Sequence, residues 1–117
     1  MATQLVENPG KLSSHKELQQ QLIACALSCE ECETACLNED NITLMARCIE
    51  LDRDCADICF QAARLVQREA EILEDYLLVC EKMCRMCAEE CRKHNNEHCK
   101  QCADVCEACA EACENIV

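Results

Sequence analysis

Two twelve-residue stretches, CALSCEECETAC at 25–36 and CEKMCRMCAEEC at 80–91, place cysteine at the same steps of four, three and four. An α-helix turns once in about 3.6 residues, so steps of three and four keep returning to one side of it. The remaining cysteines obey the same rule: Cys48, Cys55 and Cys59 between those stretches, and Cys99, Cys102, Cys106, Cys109 and Cys113 after them. All 16 cysteines of the 117-residue chain therefore fall on helical stripes, and the repeated spacing hints at an internal duplication.

Punctuation in the sequence sets the number of helices. Pro9 and Gly10 are the only proline and the only glycine, so the rest lacks the turn residues that many short strands would need. Ala, Glu, Leu, Gln and Lys dominate, and they favour helix. Residues 1–12 read as a flexible tail, and Ser14 with Glu17 fits a capping box that opens the first helix. That helix carries Leu18, Leu22, Cys25, Cys29, Cys32 and Cys36 on one face and ends near Leu37. NEDN at 38–41 marks a turn, with Asp40 or Asn41 able to cap the second helix. Met45, Cys48, Asp52, Cys55, Cys59, Ala62 and Val66 form its stripe. A helix running unbroken from 42 to 93 would leave half its apolar face without a neighbour, so a hairpin is expected near Gln67–Ala70. Leu73, Leu77, Cys80, Cys84, Cys87, Cys91 and His94 follow, then a turn at KHNNEH, 93–98, and a last helix from Cys99 to Ile116. Short turns and one inward stripe per helix predict an all-α protein: residues 13–117 as a single antiparallel up-down-up-down four-helix bundle with a cysteine-lined core.

That topology gives the bundle two unlike ends. The turns at 38–41 and 93–98 share one end, with Cys36, Cys48, Cys91 and Cys99 just inside it and Met45, His94 and His98 around it. At the other end the stripes become hydrocarbon, through Leu18, Leu22, Ala62, Val66, Leu73, Leu77 and Ile116. The expected shape is a dead-end channel lined with sulfur and open at one mouth. From Cys25 to Cys36 the column runs roughly 16 Å at about 1.5 Å per residue, too long for one compact site.

Charge and composition narrow the function classes. A net charge of −12 leaves no basic stripe to track phosphates, which argues against nucleic acid. The N-terminal residues hold no signal-peptide run, and no segment reaches membrane-spanning length. The expected setting is the cytoplasm, where thiols stay reduced and dense cysteine reads as metal binding before disulfides. Neither a nucleophile–base pair nor a redox CxxC at a helix N-terminus is present, so the chain does not read as an enzyme.

Thiolate is a soft donor that selects Cu(I), zinc or iron–sulfur clusters. Zinc prefers four donors converging from flexible turns. Cysteines one turn apart on a helix instead suit an ion content with two or three sulfurs, and Cu(I) is such an ion. Charge agrees, because monovalent copper neutralises thiolates about one for one, whereas zinc at full tetrahedral ligation leaves excess negative charge. Two sulfurs per ion give about eight ions, and bridging thiolates raise the count toward the number of cysteines. The candidate ligands are Cys25, Cys29, Cys32, Cys36, Cys48, Cys55, Cys59, Cys80, Cys84, Cys87, Cys91, Cys99, Cys102, Cys106, Cys109 and Cys113.

With CxxxCxxCxxxC on several helices of one small bundle, the chain from about residue 14 onward resembles the bacterial copper storage proteins, in their cytosolic branch. The resemblance implies storage of many Cu(I) ions in the bundle core, assembly as a homotetramer, and the cysteines of all four helices as ligands. It also implies a mouth furnished by histidine and methionine, here Met45, His94 and His98. A copper chaperone or recipient protein would be a further partner. Asp52 departs from the pattern, standing where cysteine is expected. It could face copper, accept hydrogen bonds from thiols, or turn aside so that Leu51 packs inward.

Plainer readings stand beside these. Cysteine packs well as a small hydrophobe, but sixteen of them are more than packing requires. Disulfides between helices remain geometrically available. A zinc or cadmium thiolate buffer is the nearest alternative, and an iron–sulfur electron carrier a more distant one, since such clusters are usually cradled by loops. Alone, His94 and His98 would read as exposed turn residues, and Met83 and Met86 as core. His15 lies at the plugged end, away from sulfur. Leu44, Leu51, Ile58 and Leu65 broaden the inner seam or, with Ile23, Leu27, Ile72 and Val79, form patches that other subunits cover.

Overall fold

The computed structural model describes residues 9–116, with side chains from His15 to Ile116. Four helices make up almost all of it: α1 Pro9–Leu37, α2 Ile42–Arg68, α3 Leu73–Cys91 and α4 Glu97–Ile116. Helix α1 packs on α2 and α4, and α3 packs on the same two, while the backbones of the diagonal pairs stay apart. The square cross-section leaves an axis that only side chains can fill. Every stripe residue expected to face it from Leu18 to Cys91 is buried, and so are the five cysteines of α4.

Helix α1 begins at Pro9, ahead of the cap expected at Ser14. Proline at the first helical position loses nothing, since its missing N–H would have no intrahelical partner there. Pro9–Gly10, which resembles a break, thus starts the helix. Residues 9–12 of the expected tail are helical, and residues 1–8 lie outside the described residues.

The turn at 38–41 occurs as expected, but its chemistry differs. Asn41 takes the N-cap position of α2 without a side-chain hydrogen bond, and its carbonyl accepts from Leu44 N–H at 3.2 Å instead. Asn38 contributes a side chain, Nδ2 donating to Thr34 O at 3.0 Å near the end of α1. The α2–α3 hairpin falls where a neighbourless apolar face required it. Glu69 turns left-handed (φ 50°, ψ 49°), its N–H donating to Val66 O, while Ala70 N–H donates to Leu65 O. This pair of bonds is the Schellman closure, made here by a non-glycine residue. At the α3–α4 turn, Asn96 O accepts from both Cys99 and Lys100 N–H.

The plugged end is apolar as expected. Leu22 and Leu77 are fully buried, flanked by Leu18, Ala62, Val66 and Leu73. Gln19 crosses from α1 to α2 there, donating to Ala63 O and to Gln67 Oε1. His15, Glu69, Leu73 and Ile116 line one surface pocket, which places the hairpin at the same end as the start of α1 and the end of α4. Of the seven-residue line on α2, Leu51 and Leu65 are buried and Ile58 half-buried, so most of it broadens the inner seam, while Leu44 is exposed. Ile23, Leu27, Ile72 and Val79 are exposed. Met83 packs in the core, but Met86 is exposed, because a three-residue step from Met83 carries it past the edge of the inward stripe.

Candidate metal centre

The helical stripes deliver 16 free thiols to the axis, all of them buried. Neighbouring sulfurs stand 3.6–4.0 Å apart, far beyond the disulfide bond length of about 2.05 Å. The contacts cross the bundle as well as follow each helix. Near the plug, Cys59 meets Cys80 at 3.8 Å and Cys84 at 3.6 Å. Midway, Cys106 on α4 stands 3.8 Å from Cys25 and 3.6 Å from Cys29, both on α1. Cys25 reaches diagonally to Cys84 at 4.0 Å, across the gap that the backbones leave. Toward the mouth, Cys48 faces Cys91 at 3.6 Å.

Sulfurs at these separations form overlapping four-membered groups: Cys59, Cys80, Cys84 and Cys109; Cys25, Cys55, Cys59 and Cys84; Cys25, Cys29, Cys55 and Cys106; Cys29, Cys87, Cys102 and Cys106. Successive groups share members, so an ion in one would bridge to the next through a common sulfur. An ion midway between two such sulfurs would lie about 2 Å from each, close to the ~2.3 Å of a thiolate–metal bond. A few tenths of an ångström of spreading would admit it.

Near the mouth, burial governs the protonation of the metal-free column. A thiolate in this interior would be an unpaired charge, so Cys36 and Cys99 near the mouth are held above the ordinary thiol range, Cys99 at about 12, by burial and by the neighbouring Cys48. Metal entry must therefore displace protons from sulfur.

Asp52 is turned fully inward. Cys87 donates to its Oδ1 at 3.2 Å, Cys102 at 3.5 Å and Cys91 at 3.8 Å, while Cys48 donates to Oδ2 at 3.8 Å. Of the three orientations open to it, it takes the one that accepts hydrogen bonds from thiols, and Leu51 is buried beside it as well. Burial, which penalises the charged form, pushes its carboxyl up to about 11. The native state thus keeps a proton that the unfolded chain releases near pH 4. That contribution to stability is complete below about pH 4 and is lost as pH rises toward 11. Asp52→Asn removes it. In urea titrations of reduced apo protein, the variant gains on the parent as pH rises from 4 to 8, by up to about 1.4 kcal/mol per pH unit. Parallel stability–pH curves for the two proteins would contradict this account.

At the mouth the three expected residues part company. His98, in the first turn of α4, puts Nδ1 3.4 Å from Cys32 Sγ and 3.5 Å from Cys99 Sγ. Its Nε2 stands 3.0 Å from Glu39 Oε2. His94 turns elsewhere, Nε2 lying 3.1 Å from the buried Glu90, which also pairs with Arg47 and Lys93. Met45 is buried at this end. The sequence reading missed both carboxylates. Glu90 had a legible signal, four residues before His94 in the stripe expected of α3, although that helix ends at Cys91. Glu39 had none, since it reaches His98 only through the closure of the bundle.

Comparison with known proteins finds relatives of the same fold. The family model described as "Copper storage protein" matches residues 11–117. A solved structure of Cu(I)-bound copper storage protein BsCsp3 is 35% identical, superposes with a TM-score of 0.84, and shares 87% of this chain and 96% of its own. A cytosolic copper storage protein from Streptomyces lividans, solved with five coppers, is 32% identical at a TM-score of 0.87, over 90% of this chain and 92% of that one. In Bacillus subtilis, the cysteine-rich protein YhjQ is 38% identical over 53 residues, 45% of this chain. The aligned stretch spans about half the length of that curated relative, 49%.

Proposed function

The chain belongs to the copper storage protein family, and from that premise we propose that it sequesters several Cu(I) ions on the thiolates of its bundle core. One observation carries the reading: 16 free, buried thiols stand in overlapping four-sulfur groups along a single axis. Each ion entering as Cu(I) displaces a proton, takes two or three sulfurs, and leaves its thiolates nearly neutral. A divalent ion in a four-sulfur group would leave two negative charges in the same dry interior. That difference favours copper over a zinc or cadmium buffer. Storage rather than turnover is the role, and all sixteen cysteines named above are the ligands.

The experiment is an anaerobic Cu(I) titration of reduced apo protein against a Cu(I)-specific chromophoric chelator. About eight to sixteen equivalents are withheld from the chelator, and the filled protein stays colourless in visible light. Saturation at one or two equivalents would refute storage, and a brown protein isolated with bound iron would favour clusters. By family resemblance the protein acts in the cytoplasm, as a homotetramer whose contacts cover Ile23, Leu27, Ile72 and Val79.

Entry runs through the mouth. His98, Met45 and His94 are the entry residues, with His98 closest to sulfur. Replacing all three slows copper uptake from a chelated donor by about tenfold while leaving capacity nearly intact. Unchanged stopped-flow rates would remove the case for this end.

A further inference from the structure

Cys32, Cys36, Cys99 and His98 form a group unlike the four-thiolate groups deeper in the column, because its fourth donor is a nitrogen. Four of its six donor–donor separations are close to those of an occupied tetrahedral site. Zinc–sulfur bonds of about 2.3 Å and zinc–nitrogen bonds of about 2.0–2.1 Å give tetrahedral edges of about 3.8 Å between sulfurs and about 3.6 Å between sulfur and nitrogen. Here Cys32 lies 3.9 Å from Cys36 and 4.0 Å from Cys99, and His98 Nδ1 lies 3.4 and 3.5 Å from Cys32 and Cys99. All four donor atoms lie within 4.8 Å of one another.

Charge and surroundings also set the group apart. Three thiolates, a neutral imidazole and a divalent ion sum to one negative charge, half the excess of a four-thiolate group. The His98 side chain is 23% exposed, so the group opens toward solvent. Glu39 holds Nε2 of the same ring at 3.0 Å, which leaves the Nδ1 lone pair aimed at the sulfurs. A carboxylate behind a metal-binding histidine is a recurring support for zinc.

We propose that Cys32, Cys36, Cys99 and His98 bind one Zn(II) ion, positioned by Glu39, and that this ion stoppers the mouth until Cu(I) displaces it. The stopper role rests on the copper reading above; the zinc site stands on its own geometry. The exchange involves no redox step, since zinc leaves as Zn(II) while the thiolates pass to the softer Cu(I).

Reduced full-length apo protein, titrated anaerobically with Co(II) as a spectroscopic probe, tests the site. One equivalent gives the intense visible bands of tetrahedral cobalt with sulfur-to-metal charge transfer, and one equivalent of Zn(II) bleaches them. Competition with a zinc chelator shows His98→Ala binding zinc at least about tenfold more weakly. Glu39→Gln, which keeps every donor, weakens it several-fold. Lys82→Ala, on the exposed side of α3, changes neither spectrum nor affinity. A weak octahedral cobalt spectrum would overturn the site, as would a first-equivalent signal lost in Cys59→Ser, deep in the column, and kept in His98→Ala. With one zinc bound, Cu(I) uptake from a chelated donor slows about tenfold, and equal rates would overturn the stopper. Failure of the copper reading looks different: metal-free protein would then not take up many Cu(I) ions at all.

Discussion

Filling the reduced apo protein with Cu(I) leaves its far-ultraviolet circular dichroism almost unchanged and raises its melting temperature by on the order of 15–30 °C. The first half follows from the apo fold. The four helices are complete without metal, and the thiols already stand 3.6–4.0 Å apart. The second half is mass action. A ligand held a thousandfold above its Kd contributes about 4 kcal/mol per site, and a domain of this size gains about 4–8 °C per kcal/mol. The unfolded chain has the same cysteines and also binds copper, which cancels much of the summed effect. What it lacks is the arrangement in which one sulfur serves two ions. Copper that converts a coil spectrum into a helical one would show that metal builds the tube, as in a zinc finger, and would contradict the preformed column.

Leu22→Ala or Leu77→Ala should each cost the apo protein about 2–5 kcal/mol, a large share of the roughly 5–15 kcal/mol that holds a small domain folded. Most of this core is cysteine and alanine, small side chains that bury little area each. Leu22 and Leu77 are the largest side chains with no exposure, and both lie in the short apolar plug. Truncating either leaves a cavity that neighbours packed on a helical frame cannot fill. Denaturant unfolding of the reduced apo variants measures the loss. The copper-filled variants unfold close to the filled parent, since bound metal then sets their stability. A loss below about 1 kcal/mol in the apo state would mean that the thiol column itself, rather than the plug, holds the helices together.

Steps of three and four placed the inward stripes of all four helices, because residue spacing against a 3.6 period is a purely local property. The hairpin between α2 and α3 followed from a global need, a partner for every apolar face, and it falls at Glu69 without any glycine to mark it. The start of α1 was misjudged, since a proline that ends a helix elsewhere is harmless at its first residue. Asn41 holds the cap position but bonds through its backbone, a choice made by local dihedral angles that composition does not encode.

The amino-acid sequence by itself determined the helices, their inward faces, the sulfur column and its plugged end. All of these depend on which residues recur at a fixed step along one chain. Only the tertiary structure decided that Asp52 turns inward to accept four thiols, that His98 meets Cys32 and Cys99, and that His94 turns to Glu90. Those outcomes depend on distances between atoms on different helices, fixed by how four cylinders settle against one another. Periodicity says which way a side chain points, and packing alone says what it finds there.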